Sequence, residues 1–263
     1  MKLTLDYTKT VAQNAALYFD RAKKAKKKLE GVHQAIADSS QKLEQLQAQA
    51  LKVQSSPKIK RQKEWFEKFH WLYTSSGLLA IGGRDATSNE VIVKKHMEPT
   101  DIVFHTEMAG SPFFLLKCGD KSGDKKPTAQ DIAQVGAMTA VYAKGWQKGF
   151  SSVAVFYVKP EQVSKEANSG EFMGKGSFMI RGERQYLHPE MELYLGKNSK
   201  GACICGTKES IATQTIKPAI RITQGASKAT DIAKKIAPLL ELHDIDEIVK
   251  MLPAGGVSMH KPQ

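Results

Sequence analysis

Residues 68–85, KFHWLYTSSGLLAIGGRD, decide how this chain is read. An aromatic-rich stretch runs into a polar Ser-Gly turn, and a short apolar stretch returns. Two such runs on either side of turn residues read as a β-hairpin. The return strand ends in Gly82-Gly83. There the backbone can turn sharply or approach another group closely, because glycine lacks a Cβ. Arg84 and Asp85 follow where the strand gives way to a predicted helix, a place that often carries functional side chains.

Outward from this hairpin, strands are predicted near 69–75 and 78–82, then a helix near 88–96. Asn89 and Glu90 in its first turn and Lys94, Lys95 and His96 at its end suit the helix dipole. Strands follow at 102–106 and 113–118, then a polar loop over 119–127. Thr128 with Asp131 at the third position predicts an N-capped helix to about residue 144. Strands are expected at 152–158 and 192–195, and a hairpin from 177–181 and 185–188.

In the tail, residues 208–214 are ambiguous and 219–223 read as a strand. Helices are expected from Ser227 to about 240 and from Asp244 to Pro253, with a disordered end after Gly255-Gly256. Strands with few helices between them predict an α+β fold with a mixed, mostly antiparallel sheet and packed helices. No glycine-rich piece fits a dinucleotide or P-loop cradle.

The N-terminal part is different. Apolar and small residues fall at 11, 15, 18, 22, 25, 29, 32, 36, 39, 43, 46, 50 and 53, alternating steps of four and three. That is the seam of a coiled coil, on a helix roughly 65 Å long at 1.5 Å per residue. Gly31 costs about 1 kcal/mol relative to alanine, and the seam runs through it. Ser55-Ser56-Pro57 is expected to break the helix, and a short basic helix to follow over 58–68. That second helix is too short to cover the seam, so a homodimer through residues 11–53 is the simplest expectation. The expected division is 1–68 basic coiled coil, 69–196 α+β domain and 197–263 small C-terminal extension.

The net charge is +12 with a pI near 9.4 over 263 residues. Residues 1–68 hold 15 Lys/Arg against 7 Asp/Glu, so +8 of the +12 lies there. Concentrated basic charge points to a polyanion. Lys23, Lys24, Lys26, Lys27 and Lys28 are either phosphate contacts or a solubilising face. The helix lacks the Trp/Phe/Leu face of an interfacial helix, and no apolar run is long enough to span a membrane. Three cysteines cannot build a disulfide framework and suit a cytoplasmic setting. Cys203-Ile-Cys205 is read as two strand thiols rather than a zinc site, and no cofactor is implied.

Four further motifs follow the hairpin in order. They are DIVFHTEMAGSP at 101–112, QVSK at 162–165, SGE at 169–171 and GSFMIRG at 176–182. Together with 68–85 they resemble the NFACT-R domain of the NFACT proteins of ribosome quality control, over roughly 64–195. Residues 3–30 resemble the segment opening that family's middle coiled coil. Glu183-Arg184-Gln185 stands where the family has a more basic turn. The family's N-terminal domain and helix-hairpin-helix segment are absent, so a fragment or short stand-alone member is expected. The resemblance implies recognition of tRNA or rRNA on large ribosomal subunits with stalled nascent chains. It implies binding without catalysis by this chain.

The candidate nucleic-acid contacts are Lys23, Lys24, Lys27, Lys28, Lys68, Arg84, Asp85, His105, Lys165 and Arg181. Each has a second reading. Arg84 and Asp85 can form an ion pair that shapes their turn. His105 can be a satisfied histidine holding a loop, or can pair with Glu107 or Asp85 as an acid/base unit beside Arg181. Ser164-Lys165 lacks the oxyanion arrangement a nucleophile needs. Trp65, Trp71 and Trp146 are read as packing residues, with Trp71 the one placed to stack on a base.

Overall fold

The computed structural model describes residues 4–53, 62–120, 123–124, 126–166, 174–216 and 218–260. It divides into two compact units, Met1–Arg61 and Gln62–Gln263.

The first unit is helix α1 (Val11–Val53), the span given by the seam. Thr10 and Gln13 cap its start reciprocally: Gln13 N donates to Thr10 Oγ1 at 3.3 Å and Thr10 N to Gln13 Oε1 at 2.9 Å. Residues 4–10 fold back on the first turns. Asn14 is buried and bonds the backbone of Asp6 in both directions, and the Tyr18 hydroxyl donates to Thr4 O at 2.7 Å. Beyond that, Leu29, Val32, Ile36 and Leu43 are 46–58% exposed, so the seam stands open. The expected break at 55–57 and residues 58–61 of the expected second helix lie outside the described residues. From 62 the chain is not helical until a single 3-10 turn at Trp65–Lys68, a correction to the helix expected over 58–68.

The second unit opens with β1 (His70–Tyr73) and β2 (Leu79–Gly82), paired antiparallel from His70↔Gly82 to Tyr73↔Leu79. Thr74 N bonds Leu78 O at 2.8 Å across the turn, and Gly77 takes φ 83° there, where a Cβ would be strained. Asp85 then caps α2 (Ala86–Val91), which passes into a π turn at Ile92–His96. Next come β3 (Ile102–Thr106), β4 (Phe114–Leu116) and the small hairpin β5 (Gly119–Asp120) with β6 (Gly123–Asp124). The Thr128–Asp131 capping box opens α3 (Ala129–Val141); Tyr142 and Ala143 end it, and α4 (Lys144–Gln147) follows.

The chain continues through β7 (Val155–Val158), β8 (Val163–Ser164), β9 (Met179–Ile180) and β10 (Gln185–Leu187). The six-stranded sheet has the order β1-β2-β4-β3-β7-β10. The strands at 177–188 do not form the expected hairpin. β9 pairs with β8 and β10 with β7, whose edge brings Phe156 against Tyr186.

Last come β11 (Leu193–Lys197), β12 (Cys203–Gly206), α5 (Lys208–Ala212), β13 (Ile220–Ser227), α6 (Ala229–Leu239), α7 (Ile245–Met251) and β14 (Val257–His260). Their sheet runs β12-β11-β13-β14. Ser227 closes β13 and Lys228 holds the cap position of α6. Residues 257–260, past Gly255-Gly256, form a strand, contrary to the disorder expected there, and 261–263 lie outside the described residues. Val257 is fully buried, β14 pairs with β13, and the Trp146 indole donates to Gly256 O at 3.1 Å. Every strand pairing described is antiparallel, so the α+β class holds without parallel pairs.

One core runs through this unit. Phe104, Phe114, Leu115 and Leu116 from the centre of the six-stranded sheet meet Met138 and Trp146 from the helices, all at most 2% exposed. Each such side chain contributes about 1.5–3 kcal/mol by leaving water. The Ser76 hydroxyl donates to Asp131 Oδ1 at 2.7 Å and Ser75 N to Gln134 Oε1 at 2.9 Å, pinning the first hairpin's turn to α3. Trp71 and Trp146 are buried, so Trp71 is core and does not present a face to a base.

Candidate nucleic-acid interface

The double glycine works by close approach. Gly82 lies opposite Phe114, whose ring covers the space a Cβ would need, and a Cβ on Gly83 would collide with the Asn89 carboxamide. Asn89 is buried there: its Oδ1 accepts from Phe113 N at 3.0 Å and its Nδ2 donates to Ser111 O at 3.3 Å. The end of β2, the start of α2 and segment 111–113 are drawn together as a result.

Arg84 and Asp85 turn to different partners, which removes the expected ion pair. The Arg84 guanidinium donates to three backbone carbonyls: Lys68 O at 3.2 Å, Phe69 O at 2.9 Å and Lys250 O at 2.7 Å. Asp85 caps α2, accepting from Ser88 N at 2.7 Å and Ser88 Oγ at 2.9 Å. Those Ser88 bonds hold its carboxyl below the ordinary aspartate range.

Beside them opens a cavity of about 260 Å³, walled by β1, the start of α2, segment 105–113 and the 175–180 turn. His105 forms one side. Its ring stacks on Phe113 at 4.1 Å, and its Nε2 donates to Ser111 O at 3.2 Å, since a carbonyl only accepts. Burial pushes this imidazole down to about 4. His70 stacks on Tyr142 at 3.7 Å, and its buried Nδ1 has no hydrogen-bond partner among the described residues. Burial, and then the Arg84 charge, holds His70 well below the ordinary histidine range. The Tyr142 hydroxyl donates to Met251 O at 2.6 Å.

His105 does not pair with Glu107. Glu107 turns to Arg184 at 2.5 Å and to the Tyr186 hydroxyl at 2.6 Å, which together hold it below the ordinary glutamate range. Arg184 also lies over the Phe156 ring at 4.8 Å. This Glu107–Arg184–Tyr186 cluster was not legible in the sequence, where Arg184 reads as a turn residue.

Of the sequence-derived candidates, Arg84, Asp85 and His105 all line the cavity. Lys165 stands next to it, with Nζ donating to Gly174 O and Ser177 O at 3.1 Å and lying 4.9 Å over the Phe178 ring. Arg181 is exposed and reaches Glu166 O, and Lys68 sits over the Phe69 ring; neither lines the cavity. The acid/base grouping of Asp85, His105 and Arg181 is therefore not assembled. Lys23, Lys24, Lys26, Lys27 and Lys28 belong to the first unit and are all exposed on α1. The SGE motif at 169–171 lies outside the described residues. Among the cavity residues, the sequence reading passed over His70, Tyr142 and Lys175. Cys203 and Cys205 are buried in β12 and form no disulfide.

Comparison with known proteins bears on these same residues. The family model described as NFACT protein RNA binding domain matches residues 68–182. The chain is 32% identical over 215 residues to the archaeal Rqc2 homolog aRqcH of Methanocaldococcus jannaschii, covering 80% of this chain and 31% of that protein. It is 36% identical over 180 residues to ribosome quality control complex subunit NEMF of Homo sapiens, covering 67% of this chain and 16% of that protein. The chain thus spans about a third or less of the length of these relatives. The C-terminal part of the fibronectin/fibrinogen-binding protein from Streptococcus suis aligns with 80% of this chain and 82% of that chain, at 15% identity and a TM-score of 0.40.

Proposed function

The chain belongs to the NFACT family through the RNA-binding domain at residues 68–182, and on that premise we propose that it is the RNA-binding module of a ribosome quality-control factor. Its target is tRNA or rRNA on large ribosomal subunits that carry stalled nascent chains, in the cytoplasm. The observation that carries this reading is that the family's RNA-binding domain covers the residues that build the cavity. Five exposed lysines between 23 and 28 supply phosphate affinity that is blind to sequence. No helix among the described residues is long and apolar enough to cross a membrane.

The role is binding without catalysis. Support comes from His105, whose Nε2 is engaged by a carbonyl and whose ring is held neutral by burial. Co-sedimentation with purified ribosomal subunits, with and without tRNA, is the test. Salt-sensitive retention on large subunits is expected, and no retention at low salt removes the reading.

Two results are expected from α1. Replacing Lys23, Lys24, Lys26, Lys27 and Lys28 by glutamine weakens RNA binding and flattens the slope of log affinity against log salt by about 0.7–0.9 per lost phosphate contact. An unchanged slope, read from titrations between low and physiological salt, assigns the cluster to solubility. The open seam is also proposed to pair two copies of the chain, because Leu29, Val32, Ile36 and Leu43 are exposed on one coiled-coil face. Sedimentation equilibrium should show a dimer that Ile36→Lys with Leu43→Lys dissociates. A wild type that stays monomeric at high micromolar concentration ends that proposal.

A further inference from the structure

We propose that the cavity beside the double glycine takes one unstacked nucleobase of single-stranded RNA. The assignment rests on the RNA-binding reading and names what that site receives.

Size sets the first bound. At about 260 Å³ the cavity lies just below the ~300–1,000 Å³ of drug-sized ligand pockets. That is room for a single ring system.

The walls set the chemistry. Two stacked ring pairs, His70–Tyr142 and His105–Phe113, and the Phe178 ring set edge-on to Phe113 at 5.3 Å offer flat apolar faces. Unstacked bases bind proteins on such faces and are read along their hydrogen-bonding edges. The same wall carries polar atoms with capacity to spare. Asp85 can accept more bonds than its cap uses, since a carboxylate has about four acceptor sites and a base amine is a natural donor to it.

The rim sets the class of ligand. Lys175 lines the cavity, Lys144 lies against Gly110, and Lys165 is fixed on the 174–177 turn. Lys144 and Lys165 thus pack on lining residues of the cavity, and with Lys175 they put positive charge near the path of phosphates flanking an inserted base. A base within a duplex is stacked and paired and cannot enter unless it is extruded.

The test uses the full chain with fluorescein-labelled octamers of adenylate, cytidylate and uridylate and with an RNA duplex. Ala109 and Ser177 line the cavity and are exposed, so Ala109→Trp and Ser177→Trp put an indole in the mouth without touching the core. Each is expected to weaken single-strand binding roughly tenfold, the loss of one base–aromatic stack, with the melting temperature and salt slope unchanged. Duplex binding should not change. If single strands bind the folded blocking variants as tightly as wild type, the cavity assignment falls while salt-dependent RNA binding stands. If no RNA binds at low salt, both fall.

Discussion

Arg84→Ala is expected to lower the stability of the globular unit by about 2–4 kcal/mol, one of the two largest effects anticipated for this chain. The guanidinium satisfies three carbonyls from two distant parts of the sequence, those of the neighbours Lys68 and Phe69 and that of Lys250. It thereby ties the lead-in to β1 and the last turn of α7 to the residue before the α2 cap. Charged hydrogen bonds contribute about 1.5–3 kcal/mol each. The total is set below three times that value because the bonds to Lys68 and Lys250 lie in exposed surroundings, where water replaces the donor.

Arg84→Lys should recover less than half, because one ammonium cannot reproduce a planar fork. Asp85→Ala removes a cap and costs about 1 kcal/mol. The two losses should add within about 0.5 kcal/mol, since the side chains do not meet. Urea titrations followed by the fluorescence of buried Trp71 and Trp146 measure the wild type, the three single variants and the double alanine variant. A coupling above 1 kcal/mol between the two alanine variants would reinstate the ion pair.

Arg84 also shows why parts of the site were illegible. Its acceptors are backbone carbonyls, and no residue type announces a carbonyl. The side chain's charge and its place after the double glycine were visible, but its partners come from the lead-in to β1 and from α7, far along the chain. Local signals did better. The four-three seam placed α1 from Val11 to Val53, and the Ser-Gly turn placed the first hairpin, because both are written in neighbouring residues. The Thr128–Asp131 box marked the start of α3 for the same reason.

Failures fell where partner choice is long-range. Strands of two and three residues, such as β9 and β10, carry no period, so nothing in 177–188 says that each pairs elsewhere. Gly255-Gly256 was a true turn signal misread as an ending; the turn feeds β14 into the second sheet. Asp85 and His105 were singled out and do share a cavity, whereas His70 was hidden because its importance comes from Tyr142, brought over it by α3.

Acid should expose what burial does to the two cavity histidines. An unfolded histidine titrates near 6.5, while His105 in the fold titrates at about 4 and His70 is also pushed down. Above pH 6.5 both rings are neutral in both states, and the fold keeps its full stability. As pH falls through 6.5 the unfolded chain takes up protons that the folded chain refuses, so stability declines. For His105 the decline continues to about pH 4, where the folded ring protonates as well, and it amounts to about 3 kcal/mol.

His105→Phe separates this loss from carboxylate titration. Phenylalanine keeps the stack on Phe113, and Ser111 O retains the bond from Asn89. The variant starts less stable at pH 7, by the one hydrogen bond it lacks, but its stability should fall less steeply toward pH 4.5. Urea unfolding at half-unit steps between those values is the measurement. The difference between wild type and variant should shrink or reverse as pH drops, and the slope that persists in the variant includes His70. Parallel curves would mean that His105 is hydrated in the fold, and the apolar wall drawn for the cavity would then be wrong on the side that faces Phe113.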